Sequence, residues 1–157
     1  MDRYKGELLS DDTRRFLAQP KRMAIGGEWV EALGGGMLEV VDPASGQVFD
    51  RVPAGEATDI DRAVAAARRA FEQGDWPRMR PVDRERLLLR LAELVEAHAQ
   101  ELAEIEALDN GKPVTMARAV DVALVVDFLR YMAGWATKLE GSTMEVSVPL
   151  VRNREFF

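Results

Sequence analysis

Five consecutive residues, Asp109-Asn110-Gly111-Lys112-Pro113, bring an acid, an amide, a flexible backbone position and a cation to one place in the chain. Such a set could hold a phosphate or a metal ion, or it could simply end one helix and begin another. The mechanical reading accounts for most of it. Asn110 and Gly111 can take the left-handed conformation that terminates a helix. Lys112 suits the negative C-terminal end of the helix dipole, and Pro113 fits the first turn of the next helix, where no amide hydrogen is needed. Asp109 is left over, because an acid is unfavourable at that negative end. It requires a positive partner: Lys112, an arginine or a bound cation. The residues alone favour a side chain, since hard cations need several oxygen ligands.

Other candidate groups carry less. Gly34-Gly35-Gly36 is not a phosphate-binding G-x-G-x-x-G, because Met37, Leu38 and Glu39 follow it and the run precedes a strand rather than a helix. It reads as a flexible hairpin loop. Glu101, Glu104 and Glu106 fall on helix turns expected to face solvent, with no sign of the cleft that a paired-carboxylate mechanism requires. His98 is the single histidine and reads as a surface or helix-joint residue. There is no cysteine, so no thiol nucleophile, disulfide, zinc–thiolate site or iron–sulfur cluster can be built from this chain alone. A multi-histidine metal site and a Ser-His-Asp triad are equally unsupported.

Composition bounds the partners. Hydrophobic residues make up 47% and charged residues 31% of 157 positions, and the formal net charge is −6. That is an ordinary soluble composition, with a charge sign that argues against a nucleic-acid backbone or an anionic membrane surface as partner. No apolar run approaches the roughly 20 residues of a membrane span, and the N-terminus has no apolar signal core. A cytoplasmic setting is the default expectation.

The elements that must position these groups follow from periodicity. Residues 1–22 form a mixed-charge arm in which Ser10 caps a short helix over Asp11–Ala18, ended by Pro20. Met23–Val30 and Met37–Val41 read as strands on either side of the triglycine, and Asp42-Pro43-Ala44-Ser45-Gly46 is a turn before a strand at Gln47–Val52. Thr58 is expected to cap a helix in which Ile60, Val64, Ala67 and Phe71 form a buried stripe. Pro81 and Asp83 open the next helix, with Leu87, Leu88, Leu91, Leu94 and Val95 inward, Arg84 and Glu85 among the residues facing water, and a break near His98. Within the segment Val114–Leu139, the apolar residues between Ala119 and Leu129 run almost all round the helix, which calls for cover on several sides. Asp121 and Asp127 interrupt it within pairing distance of Arg118 and Arg130. Thr143–Val148 and Asn153–Phe157 read as strands divided by Pro149. The short strands can hardly cover the most apolar helix, so the pattern is that of an incomplete domain.

The fragments IGGEWV, VVDPASGQV, DRAVAAARRAF, RLLLRLAELVE, ALDNGKP and FLRYMAGWATKLEG, in this order and spacing over about residues 22–157, resemble the N-terminal third of an NAD(P)-dependent aldehyde dehydrogenase. The tail GWATKLEGSTMEVSVP is most similar to the branch acting on phenylacetaldehyde and related aldehydes. The resemblance implies an α/β parent fold with a Rossmann-type cofactor domain. This chain would supply its mainly helical N-terminal part plus short edge strands: an arm at 1–22, the helical part of the cofactor domain at 23–141, and the start of the oligomerisation strands at 142–157. It implies oxidation of an aldehyde to a carboxylate with NAD or NADP, in a homodimer or homotetramer. The catalytic cysteine, glutamate and asparagine have no counterpart here, and neither does the nucleotide-binding sheet, so no catalytic or cofactor-binding residue carries over. What carries over is a monovalent cation site, K+ or Na+, at the carbonyls of Val40 and Val41 and the carboxylate of Asp109. A wall of the aldehyde tunnel carries over at Val120, Leu124 and Phe128, positions that plain core packing would explain equally well. The resemblance thus puts a cation on a level with a side chain as the partner of Asp109. A free-standing helical interaction or regulatory module derived from such an enzyme is the alternative.

Overall fold

The computed structural model describes residues 9–145 and 154–156. Ser10 caps α1 (Asp11–Leu17), as its position before two acids predicts, with its hydroxyl accepting from the Thr13 amide. A tight hairpin follows, β1 (Met23–Ile25) with β2 (Glu28–Val30), turning on Gly26 and Gly27, both at positive φ. A second antiparallel hairpin joins β3 (Met37–Asp42) to β4 (Gln47–Pro53).

Strand pairing departs from expectation here. Met23–Val30 is itself a hairpin, and the triglycine only links it to the next one. The reason is local: Gly26-Gly27 satisfies a two-residue turn, and the Asp42–Gly46 turn closes the second hairpin. In that turn buried Asp42 accepts from the Ala44 amide at 2.9 Å and the Ser45 hydroxyl at 2.5 Å, and Gly46 has φ +68°. The β3–β4 ladder shifts register between Val40 and Val41, pairing Val40 with Asp50 and Val41 with Val48, so Phe49 is passed over.

Helix α2 (Ala57–Gln73) starts one position before the expected cap. Glu56 is the cap residue, and the side chain of Asp59, three residues on, accepts from the Glu56 amide at 3.2 Å. Asp59 is fully buried and also accepts from the Leu33 amide, with Arg62 at 3.5 Å, which ties the β2–β3 link to the helix start. The expected buried stripe is a correction: Ile60, Val64 and Phe71 are exposed, Phe71 at 73%. The β1–β2 hairpin instead lies over the smaller Ala63 and Ala66.

After a 3-10 turn (Trp76–Arg78) come α3 (Pro81–Ala97) and α4 (Ala99–Asn110), separated at His98, where the break was expected. Then follow α5 (Val114–Met116), a π-helical turn (Ala117–Val122) and α6 (Ala123–Trp135). Helix α6 lies along α3, the π-turn along α4, and both α1 and β3 rest on α4. The core between them is small-sided: Ala92, Ala103, Ala117, Val122, Val126 and Ala133. Leu87, Leu91 and Leu94, expected inward, are exposed, whereas Arg84 and Glu85, expected in water, are half-buried. The small residues let α3 and α6 approach closely and leave the larger side chains on the outside. Consequently α6 is covered on one side only by the described residues.

Short strands β5 (Thr143–Glu145) and β6 (Arg154–Phe156) pair antiparallel, Thr143 opposite Phe156. The intervening residues, including Pro149, lie outside the described ones. Among the described residues no helix is long and apolar enough to cross a membrane.

Candidate functional site

The corner at Asp109–Pro113 is built as its residue types dictate. Asn110 is the last residue of α4, and Gly111 follows in the left-handed conformation, φ +79°. The Asn110 side-chain oxygen accepts from the Lys112 amide at 2.9 Å, and its amide nitrogen donates to Glu106. Pro113 sits one position earlier than expected, as the cap residue of α5. Lys112 reaches across the corner to Asp121 in the π-turn and lies 3.7 Å from Glu106. The hydrogen bond it donates to Asp121 raises the Lys112 ammonium above its ordinary pKa.

Three expected partnerships are therefore corrected. Lys112 does not serve Asp109, which makes no hydrogen bond or ion pair with the described residues. Asp121 takes Lys112 instead of Arg118, and Arg118 donates to Gln100 at 2.8 Å. Arg130 likewise pairs with Glu96 on α3 at 2.6 Å instead of Asp127. The α4–α5 corner offers Asp121 the Lys112 ammonium, α4 offers Arg118 the Gln100 side-chain oxygen, and α3 offers Arg130 the Glu96 carboxylate.

Asp109 and Val40 both line a groove of about 960 Å³ among α1, the β-hairpins and α4. Apolar walls come from Phe16, Leu17, Trp29, Phe49, Leu102 and Ile105. Within it Lys21 pairs with Asp50 at 2.9 Å, both largely buried, donates to the Phe16 and Gln19 carbonyls at 2.8 and 2.7 Å, and lies 4.5 Å from the Phe16 ring centre. So Val40 and Asp109 line the same groove. Val41, one step past the bulge, is exposed and is not among the groove-lining residues. Among the described residues no three His, Cys, Asp or Glu side chains converge on a metal. One carboxylate without a described partner and a strand beside it fit part of an oxygen-ligand set, of which a hard cation needs more.

Val120, Leu124 and Phe128 recur at four-residue spacing from the π-turn into α6 and are all exposed, Leu124 at 64%. Tyr131 and Trp135 continue the helix beyond them with an edge-to-face contact, ring centres 6.2 Å apart. His98 is exposed at the α3–α4 joint, its Nδ1 3.0 Å from Glu101, as expected of an isolated histidine.

Glu104 is the residue that sequence reasoning misplaced. Expected in solvent, it is 2% exposed. Its Oε2 accepts from the Ser10 amide (3.0 Å), the Ser10 hydroxyl (2.8 Å) and the Thr13 hydroxyl (2.5 Å), while its Oε1 accepts from Gln100 (2.6 Å). Burial pushes this carboxyl up, but the hydrogen bonds from Gln100, Thr13 and Ser10 outweigh it and hold the group below its ordinary range. The only signal was the Ser10-Asp11-Asp12-Thr13 cap, whose hydroxyls needed an acceptor more than ninety residues away.

These elements define a segment with a groove, an open apolar helix face and no cysteine. The aldehyde dehydrogenase family model matches residues 29–155, and the chain belongs to that family. It is 47% identical over 141 residues to a phenylacetaldehyde dehydrogenase of Pseudomonas fluorescens, covering 88% of this chain and 28% of that protein. It is 44% identical over 131 residues to a mitochondrial benzaldehyde dehydrogenase of Antirrhinum majus, covering 83% of this chain and 24% of the other. Among solved structures, an NAD+ complex of a Bacillus cereus aldehyde dehydrogenase superimposes with a TM-score of 0.85 at 44% identity, over 88% of this chain and 28% of that one. The chain spans about a quarter of the length of these relatives, the N-terminal part of the fold.

Proposed function

We propose that this chain is the N-terminal portion of an enzyme that oxidises an aldehyde to a carboxylate with NAD(P)+, and that by itself it is catalytically inert. One observation carries the reading: a chain without cysteine reproduces, at a TM-score of 0.85, 28% of a chain solved with NAD+. Without a thiol the nucleophilic step has no agent here, and the three two-stranded antiparallel sheets of the described residues offer no parallel strand–helix unit for a dinucleotide.

What this chain's own residues contribute is shape and anchoring. Val120, Leu124 and Phe128 form one wall of the aldehyde path, and their exposure in a row supports that role. Asp109, with the carbonyls of Val40 and Val41, contributes to a K+ or Na+ site. The aldehyde is an aromatic or small one, in keeping with the aldehydes named for the two relatives, and the complete enzyme is a cytoplasmic homodimer or homotetramer.

A fusion of these 157 residues to the part of the Bacillus cereus enzyme that follows its matched segment tests the reading. Phenylacetaldehyde and NAD+ are supplied, and NADH formation is followed. The fusion is expected to turn over, and the 157-residue chain alone is not. A folded but inactive fusion, or turnover by the isolated chain, would refute the proposal.

A further inference from the structure

Helix α6 does not continue the buried face of the turn that precedes it. Buried positions run Ala117, Val122, Val126 and Ala133, and Ala117 and Val122 pack with Ala103 of α4. The step from Ala117 to Val122 is five residues, where an α-helix repeats a face after three or four. An unbroken α-helix from Ala117 would carry Val120, Asp121, Leu124 and Phe128 into that seam. The π-turn at Ala117–Val122 adds one residue to the turn and so swings the buried face by about 100°. Val120, Leu124 and Phe128 are thereby left exposed in a row.

Asp121 separates the two phases. In the α-helical one its carboxylate would enter a seam lined by Val95, Ala99 and Ala103, where an unpaired charge is costly. In the π phase it stays part-exposed and takes Lys112, which belongs to the preceding corner and not to the helix. Arg118, in the same turn, is tied to α4 by its bond to Gln100 at 2.8 Å. Turns of this kind are rare and concentrate at functional sites. We infer that the Lys112–Asp121 pair holds the π-turn in phase and so positions the Val120–Leu124–Phe128 row, which makes Lys112 and Asp121 positioning residues for aldehyde specificity. This rests on the function proposed above, in which that row is a wall of the aldehyde path. The pair acts through the row, on which aldehyde fits, and not on the chemical step.

The test uses the active fusion, with acetaldehyde as the small substrate and phenylacetaldehyde as the bulky one. Lys112→Met and Asp121→Asn should each raise KM for phenylacetaldehyde relative to KM for acetaldehyde by about fivefold or more, because a loosened wall no longer holds the ring. The double variant should lose no more than either single one, since all three remove the same pair. Lys112→Arg keeps the charge and should restore the parent ratio. An unchanged KM ratio in both single variants, or losses that multiply in the double one, overturns the inference. So does a lower melting temperature with equal loss of kcat for both aldehydes, the mark of a merely structural pair. If Leu124→Trp still changes the ranking of the two aldehydes in that event, the wall stands without its positioning pair. If Leu124→Trp changes nothing either, wall and inference fall together, and an inactive fusion removes the proposed function with them.

Discussion

Among the described residues Glu104 receives four neutral hydrogen bonds and no salt bridge, so its charge is held by dipoles that come mainly from the N-terminal arm. Glu104→Gln keeps the shape and removes the charge. It is expected to cost about 1.5–3 kcal/mol, the scale of hydrogen bonds to a charged group, read by urea unfolding, with faster tryptic cleavage at Arg14 and Arg15. The sign with pH is fixed by the depressed pKa. The stabilisation is complete above the ordinary carboxylate pKa and disappears as pH falls through the lower folded value. Arm protection that persists at the acid end would contradict this. Asp109 is the opposite case, an acid that none of the described residues neutralises. In the active fusion, Asp109→Ala should abolish any rise in melting temperature on adding KCl over an equal ionic strength of choline chloride. An undiminished rise would remove Asp109 from the cation site. Which acids are free and which are buried was not legible from their spacing, because the partners of Glu104 are distant in sequence and Lys112 has two acids within reach.

Most helix boundaries were legible, because Ser10, Pro81, His98 and Gly111 are local signals acting locally. Helix faces were not. The stripe Ile60–Val64–Phe71 obeys helical spacing yet is exposed, because periodicity shows that a face is apolar without naming the surface that covers it. The strands were misassigned for a related reason, since two adjacent hairpin turns look like one long loop until pairing is known. At the α4–α5 corner the turn is sterically exact in one respect: a Cβ on Gly111 would lie 3.0 Å from Pro43 Cγ, at φ +79°. Gly111→Ala is therefore expected to lower stability by about 1–2 kcal/mol, the cost of a side chain in the left-handed region, and an unchanged melting temperature would show that the corner relaxes freely. On α6, Leu124→Trp in the active fusion should lower kcat/KM for bulky aldehydes relative to small ones by about tenfold, a few contacts' worth of discrimination. An unchanged ranking would return Val120, Leu124 and Phe128 to plain packing.

Among the described residues, the buried hydrophobic ones are alanines, valines and one leucine, while Phe71, Leu124, Phe128 and Tyr131 are more than half exposed. A core of small side chains excludes little apolar surface from water. The isolated chain should thus bind a hydrophobic dye such as ANS and melt broadly, and the melt should sharpen in the fusion to the Bacillus cereus segment. A sharp, dye-free melt of a stable monomer would favour the free-standing module instead.

The register shift in the β3–β4 hairpin reaches further than its size suggests. Strand residues normally alternate sides, yet Phe49 and Asp50 are neighbours and both line the groove. The odd residue count makes this arithmetic work, so the hairpin has a parity. Losing one residue from β4 would turn either the aromatic or the Lys21 counter-ion outward, whereas lengthening the Asp42–Gly46 turn would disturb neither. Natural length variation in this hairpin should accordingly be confined to its tip.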